Sequence, residues 1–345
     1  MTAHYSAVAL KAYALALMRA NGVDEAQAAS VAENLVWSEL IGRASFGLQR
    51  LPIHIERVKR GVISCPCRTK FEKRSDAIVI LDGGGGFGYY IGEIGMRRAT
   101  DLAREYGVGV VGVRNSNFFG TGAYFVQLAA AAGMIAFAMS NSFPKVAAYG
   151  GLKSVLGTNP FAFGAPRRNG RSLLIDMATS ALAGSTVREH IESDQPLPQG
   201  LAIDAQGAPI TDPRKVDEGA LLPFSGAKGF ALSLMVEVVA GILTGAGVSH
   251  GVASMYRDFT RSGDNGHFFF ALDVARFMEI EEYYARFEGL IDILKASNTK
   301  QEVLLPGEIR WRNYDENLAG GIALDCKTID ALDRLARPFG VAIAA

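Results

Sequence analysis

Residues 78–88, IVILDGGGGFG, decide how this chain is to be read. A buried strand over 76–82 runs into four consecutive glycines, and helical periodicity follows over 92–107. A strand, a Gly-rich turn and a helix in that order is the layout of a phosphate-binding loop, where backbone N–H groups at a helix start cradle an anion. In the frame that opens at Gly84 and continues through Gly86, the G-x-G-x-x-G spacing fails because position 89 is Tyr89. No G-K-[ST] follows either, which excludes a P-loop. Asp101 and Glu105 stand about 20 positions on, but on the helix rather than at the end of a second strand. The stretch therefore reads as a flexible turn with close backbone approach, and a Rossmann dinucleotide fold is not expected.

Outward from this turn the chain alternates strand and helix. Strands are expected at 108–114, 134–139, 161–165, 172–176 and 267–274, and helices at 122–133, 226–246 and 275–298. The helix over 226–246 is apolar almost throughout, which suggests a core element. Residues 249–266 are polar and Gly-containing and read as a mobile loop. Towards the N-terminus, 6–43 carries helical spacing with Asp24 as an N-cap, and 47–61 reads as a shorter helix ending at Gly61. A last short helix is expected at 327–339. Helices thus come from both chain ends around a mixed α/β middle. The expected division is a helical unit for substrate binding and dimerisation, 1–75 plus about 310–345, and a dinucleotide-binding α/β unit, 76–309.

Composition narrows the function. Lys plus Arg and Asp plus Glu both number 35 in 345 residues, so the net charge is zero and a nucleic-acid partner is not expected. No apolar run reaches the length needed to span a membrane, and no secretory signal is evident at the N-terminus. The three cysteines, Cys65, Cys67 and Cys326, form neither a disulfide framework nor a zinc spacing, which fits a reducing, cytoplasmic setting. The five histidines are scattered, and no metal site is expected.

Several segments carry chemistry. They are GRASFGLQRLP (42–52), RNSNFFGTGAY (114–124), LGTNPFAFGAP (156–166), IDMATSALAG (175–184), GLAIDAQGAPITDP (200–213), GAKGFALSLMVEVVAGILTGA (226–246), HFFFALDVARF (267–277) and LPGE (305–308). Together, in this order, they resemble the malate/L-lactate/ureidoglycolate dehydrogenase family, whose members bind NAD or NADP without a Rossmann domain. The resemblance implies an α/β fold with a mixed, largely antiparallel sheet, a homodimer, and a small carboxylate substrate. It places cofactor contacts at Ser142, Asp176, Met177, Ala178, Lys228, Gly229, Pro306, Gly307 and Glu308. Thr158, Asn159 and Thr179 are short polar groups at strand ends that suit the same task. The plainer reading of Asp176 and Glu308 is that they cap helices or join ion pairs. Arg50 falls where the family's substrate arginine falls, and a planar guanidinium can grip a carboxylate bidentately; otherwise it is a solvated helix arginine. Arg167, Arg168 and Arg188 are the cations available for an adenosine 2′-phosphate.

The chain departs from the family at two points. The family reads Ser-His-Gly and Asn-His-Phe-Gly where this chain has Ser45-Phe46-Gly47 and Asn117-Phe118-Phe119-Gly120. Phenylalanine moves no proton, and a positioned general acid contributes roughly 10²–10⁴ in rate. His54 lies about two helical turns beyond Phe46 and is the substitute acid expected first; Lys145, Tyr149 and Asp204 follow. Three activities stay open: hydride transfer on a 2-hydroxy or 2-oxo acid, reduction of a cyclic imino acid whose iminium already carries its proton, or a cofactor-binding paralogue with impaired catalysis. In the first two, Phe46, Phe118 and Ser45 shape the substrate pocket.

Overall fold

The computed structural model describes residues 4–343. Its helices are α1 (Ala7–Ala20), α2 (Glu25–Leu40), α3 (Leu51–Lys59), α4 (Gly88–Tyr106), α5 (Gly122–Ala131), α6 (Gly184–Glu192), α7 (Ala227–Val236), α8 (Ile280–Ala296), α9 (Glu308–Gly320) and α10 (Cys326–Ala336). Its strands are β1 (His4–Tyr5), β2 (Lys70–Lys73), β3 (Ile78–Asp82), β4 (Val108–Ser116), β5 (Met134–Ser140), β6 (Val146–Ala147), β7 (Ser154–Leu156), β8 (Phe161–Ala165), β9 (Leu173–Met177), β10 (Ala202–Ile203), β11 (Ala220–Leu221), β12 (Asn265–Asp273) and β13 (Ile322–Ala323). Seven strands form the main sheet in the order β2-β3-β4-β12-β5-β8-β9, with β3 and β4 parallel and every other neighbouring pair antiparallel. The expected mixed, largely antiparallel sheet is therefore present. Among the described residues no helix is long and apolar enough to cross a membrane.

β3, α4 and β4 make the unit that the opening stretch predicts, a strand and a helix returning to a parallel strand. The frame that opens at Gly83 does meet G-x-G-x-x-G, through Gly85 and Gly88. Spacing alone thus fails to exclude a phosphate loop; packing excludes it. The N–H of Gly85 donates to the Asn115 carbonyl (2.9 Å), that of Gly86 to Gly83 (3.1 Å), and that of Phe87 to the Gln27 Oε1 (2.8 Å). A Cβ on Gly84 would strike the Arg68 carbonyl, and one on Gly88 the Asn117 carbonyl. The donors a phosphate would need are spent, and the space is filled by protein. Because Gly88 already belongs to α4, the helix starts four residues earlier than periodicity suggests.

One core lies between the sheet and the helices α4 and α5, with Met96, Val111, Val113, Phe125 and Phe269 inside it. A second joins α1, α2 and α3 to Leu332 and Ala336 of α10, so helices from both termini share one interior. Asp24 caps α2 by accepting from the Gln27 N–H. A small four-stranded sheet, β10-β11-β6-β7, and the helices α6 and α9 were not anticipated; their strands have two or three residues, too few for an alternation to register.

Two expectations are corrected. The apolar stretch 226–246 is not one buried helix. α7 ends at Val236, a π-helical turn spans Glu237–Ile242, and Leu234, Ile242 and Leu243 stand exposed, the last two at 59% and 63%. The turn brings Glu237 inward, where its carboxylate accepts from Asn159 Nδ2 (2.7 Å) and from the Ser249 N–H (2.7 Å). The 249–266 segment is also not free. The fully buried Arg57 donates to the carbonyls of Met255 (3.3 Å), Asp258 (2.7 Å) and Arg261 (3.4 Å), and Gly263 N–H donates to Asn117 (2.8 Å).

Glu39, near the end of α2, sets the turn that follows. Its buried carboxylate accepts from the Leu48 N–H at 2.7 Å, and Gly47 leaves room for it, since a Cβ there would collide with the carboxylate. Burial pushes this acid from the ordinary 4.5 up to about 7. The folded state then holds the proton more tightly than the unfolded chain, so stability is full below pH 4.5 and declines as pH rises towards 7. Glu39→Gln keeps the acceptor and removes the charge. Relative to the parent it should gain roughly 3 kcal/mol on going from acid pH to pH 8 in urea unfolding; a pH-independent difference would contradict this. Gly109→Ala drives a Cβ into the Ala99 carbonyl and should cost about 1–3 kcal/mol. Gly289→Ala, in α8 with open space around it, should gain about 0.5–1 kcal/mol.

Candidate active site

Ala44–Phe46 and Leu48–Arg50 are two successive 3-10 turns leading into α3, and the second delivers Arg50 to the interior. Arg50 is only 6% exposed. Its Nε donates to the Ser45 carbonyl (2.7 Å) and its Nη1 to the Tyr256 hydroxyl (2.5 Å). Its guanidinium lies over Phe118 and Tyr256, 5.9 and 5.5 Å from their ring centres. So Arg50 is not a solvated helix arginine. Ser45 contributes its carbonyl to Arg50.

Phe46 and Phe118 stack with ring centres 6.3 Å apart and planes within 9°. With Arg43, Arg50 and Arg188 they line a cavity of about 720 Å³. Ser142, Thr158, Asp176, Met177 and Ala178 line the same cavity. Five of the expected cofactor residues are thus brought together with Arg50, the expected substrate arginine, and both phenylalanines.

Asn159 and Thr179 lie one layer behind. Both are fully buried; Asn159 Oδ1 accepts from the Ser142 N–H (3.1 Å), and Thr179 Oγ1 donates to the carbonyls of Thr158 and Asn159 (3.1 Å each). They hold the wall in place. Asp176 is tied on several sides. Its Oδ2 accepts from Thr121 Oγ1 (2.5 Å), from the Ala123 N–H at the start of α5 (3.2 Å), and from Arg310 (3.3 Å). It both caps a helix and joins an ion pair while lining the cavity.

Five expected cofactor positions lie elsewhere. Lys228 is exposed near the start of α7, and Gly229 is buried with its N–H on the Phe224 carbonyl (3.0 Å). The Pro306 carbonyl accepts from Leu174, and Gly307, at φ +92°, caps α9. Burial would raise the Glu308 carboxyl, but the Leu305 N–H it accepts (3.0 Å) and then its pairing with Lys295 hold it below its ordinary value. None of these lines the cavity. The Pro-Gly-Glu turn reaches it only through α9, which sends Arg310 to Asp176.

His54 is fully buried. It lines a small neighbouring void that shares Phe118, Ala253, Met255 and Asn265 with the cavity, and its Nε2 sits 3.1 Å from the Tyr89 hydroxyl. Burial, then the charges of Arg50 and Arg57, push its pKa down to about 3. It is a neutral imidazole behind the cavity. Of the other expected acids, Lys145 lines the rim and pairs with Asp217 (3.1 Å). Tyr149 is exposed, and the Asp204 carboxylate holds a turn by accepting from Gln206 and Ala208 N–H groups. Arg167 pairs with Glu288, and Arg168 with Glu281; only Arg188 of the three expected cations reaches the cavity.

Sequence reasoning missed Arg43, Tyr256 and Arg310. Arg43 sits over the Phe46 ring at 5.7 Å. Burial pulls its pKa down, and Arg310 nearby acts in the same direction. Arg188 Nη2 is buried with no hydrogen-bond partner among the described residues. Neither Arg50 nor Arg188 faces a carboxylate within salt-bridge distance there. A cavity with desolvated guanidiniums, one carrying an unused donor, is built to receive an anion. The hydroxyl-bearing wall of Ser142 and Thr158 and the cavity's volume suit a larger, polar ligand beside it.

Comparison with known proteins agrees with this geometry. The sequence profile described as malate/L-lactate dehydrogenase matches residues 5–333. The malate/(S)-sulfolactate dehydrogenase of Methanothermus fervidus is 33% identical over 325 residues, covering 94% of this chain and 95% of the relative. The (2R)-3-sulfolactate dehydrogenase (NADP(+)) of Chromohalobacter salexigens is 32% identical over 299 residues, 86% and 87% of the two chains. Among solved structures, the delta1-piperideine-2-carboxylate reductase of Pseudomonas syringae pvar. tomato superposes with a TM-score of 0.89 at 29% identity, covering 97% of this chain and all of that one. On sequence and fold alike, this chain belongs to the malate/L-lactate dehydrogenase family of NAD(P)-dependent oxidoreductases, outside the Rossmann dehydrogenases.

Proposed function

We propose that this protein transfers a hydride between NAD or NADP and the carbon next to a carboxylate, with Arg50 holding that carboxylate. One observation carries the reading: Arg50 and Phe118 share a single cavity with Ser142, Thr158, Asp176, Met177 and Ala178. Bound nicotinamide supplies or accepts the hydride. The protein's part is to place the acceptor carbon. The Arg50 guanidinium, already fixed by the Ser45 carbonyl, has donors left for a carboxylate. Phe46 and Phe118 exclude water from the reacting carbon and favour an apolar or cyclic substituent. Ser142 and Thr158 offer hydroxyls to the dinucleotide, and Asn159 and Thr179 keep them in register.

A cyclic imino acid is the second substrate class, and the stacked Phe46–Phe118 wall favours it. A protonated iminium brings its own proton, so the missing histidines cost it less than they cost an oxoacid. The exposed apolar residues of α7 and the turn after it support a homodimer, because an uncovered patch of Leu234, Met235, Val238, Ile242 and Leu243 costs solvation.

Titration with NADH and NADPH, followed by nicotinamide fluorescence and thermal midpoint, tests the cofactor site. One of the two should bind, and at a hundredfold excess over Kd it should add about 2.7 kcal/mol; binding of neither by the folded protein would contradict both the hydride-transfer reading and a cofactor-binding paralogue. Arg50→Met should raise KM for carboxylate substrates roughly ten- to hundredfold, the worth of a charged hydrogen bond of about 1.5–3 kcal/mol. An unchanged KM would remove Arg50 from substrate binding.

A further inference from the structure

Reduction of an oxoacid needs a proton donor, and neither Phe46, Phe118 nor the secluded His54 can be one at the cavity. We propose that Tyr256 is the acid–base group of this site, held between Arg50 and Arg188 with its hydroxyl hydrogen turned to the cavity. This rests on the hydride-transfer reading above and adds a catalytic residue to it.

The geometry is specific. Tyr256 lines the cavity, its ring edge-on to Phe143 with centres 5.9 Å apart. Its oxygen accepts from Arg50 Nη1 at 2.5 Å and from Arg188 Nη1 at 3.4 Å. A guanidinium has donors only. The phenol therefore spends its lone pairs on the two arginines, and its own hydrogen is left for a third group. Arg50 also fixes where that group lies: a carboxylate gripped by Arg50 brings the adjacent carbonyl oxygen next to the Tyr256 hydroxyl. The segment is anchored for the task, since buried Arg57 ties the carbonyls of Met255 and Asp258 on either side of Tyr256.

The step balances. As hydride from the reduced nicotinamide adds to the carbonyl carbon, the Tyr256 O–H bond breaks and its proton passes to the carbonyl oxygen. A phenolate remains between two cations and is reprotonated from solvent in the cavity. Oxidation runs the reverse, with the phenolate as base.

Burial alone would push the Tyr256 phenol up, but the charges of Arg50 and Arg188 and their hydrogen bonds outweigh it and hold the phenol below its ordinary value. The groups facing it are Arg50 from the turn before α3, Arg188 from α6 and Tyr89 from α4, whose own phenol is pushed up by burial. Further out, Arg257 and Lys145 share Asp217 at the rim. Of the two phenols, Tyr89 is pushed up and Tyr256 is held down, so the alkaline limb is assigned to Tyr256. Reduction should fall as pH rises through its pKa, and oxidation should rise through the same value.

The test is Tyr256→Phe in the full-length protein, with reduced cofactor affinity by fluorescence and kcat and KM for a 2-oxoacid and a cyclic imino acid, each followed from about pH 6 to pH 10. The inference expects cofactor affinity within about twofold of the parent, a roughly 10²–10⁴-fold loss in kcat on the oxoacid, a much smaller loss on the imino acid, and disappearance of the alkaline limb. A change confined to KM with the limb intact would make Tyr256 a mere prop for Arg50 and overturn the proposal, as would unchanged oxoacid turnover in an active enzyme. Should Tyr256→Phe fail to fold, Arg188→Met serves instead: the limb should move up in pH, and an unmoved limb overturns the proposal. A parent protein that binds cofactor but reduces neither substrate class overturns the hydride-transfer reading itself.

Discussion

Two guanidiniums without a carboxylate partner among the described residues, the buried Arg50 and the half-buried Arg188, are the constraint around which the candidate site is built. A positive charge taken out of water is costly unless something answers it. Here a carbonyl, a phenol oxygen and two aromatic faces answer it in part, and Arg188 keeps one donor unspent. An anionic substrate, as proposed, would complete the balance.

The scaffold serves that corner from several directions. Glu39 holds the turn that presents Arg50, buried Arg57 holds the segment that presents Tyr256, and the Asn159–Glu237 pair ties the Ser142 wall to the π-turn after α7. Each is a buried polar group with its partners supplied, the condition under which such groups fix one conformation instead of weakening the fold. The Gly-rich loop does not line the cavity. Its glycines let β3, α4 and the strand β4 close on one another, which is why a motif that matches a phosphate loop by spacing can be filled with protein.

Much of the fold was legible in the sequence because long elements carry periodicity: α2 with its Asp24 cap, β4, β5, β12 and α8 all lie close to where alternation or helical spacing puts them. The short strands β6, β7, β10 and β11 carry too few residues for that signal, and the π-turn at Glu237 interrupts a helix for reasons that lie in Asn159, 78 positions away. At the site, Arg50 and the 176–178 wall could be found through ordered motifs. Tyr256 could not, since the segment around it has no period and its role comes from Arg50 and Arg188, which only tertiary structure brings beside it. His54 illustrates the opposite error: helical spacing puts it on the face of Phe46, but packing turns it behind Phe118 against Tyr89. Lys228 and the Pro-Gly-Glu turn, named through the same motifs, lie outside the cavity of the single chain.

The central claim is that a hydride moves, in this cavity, to the carbon beside a carboxylate. The most direct measurement supplies reduced cofactor deuterated at the transferring carbon of the nicotinamide, together with 2-oxoacids and cyclic imino acids, and reads the products by mass spectrometry and NMR. The account predicts one deuterium on the carbon next to the carboxylate, with labelling at low substrate concentration slowed when Arg50 is replaced by Met. Bound cofactor with no label in any product would contradict it.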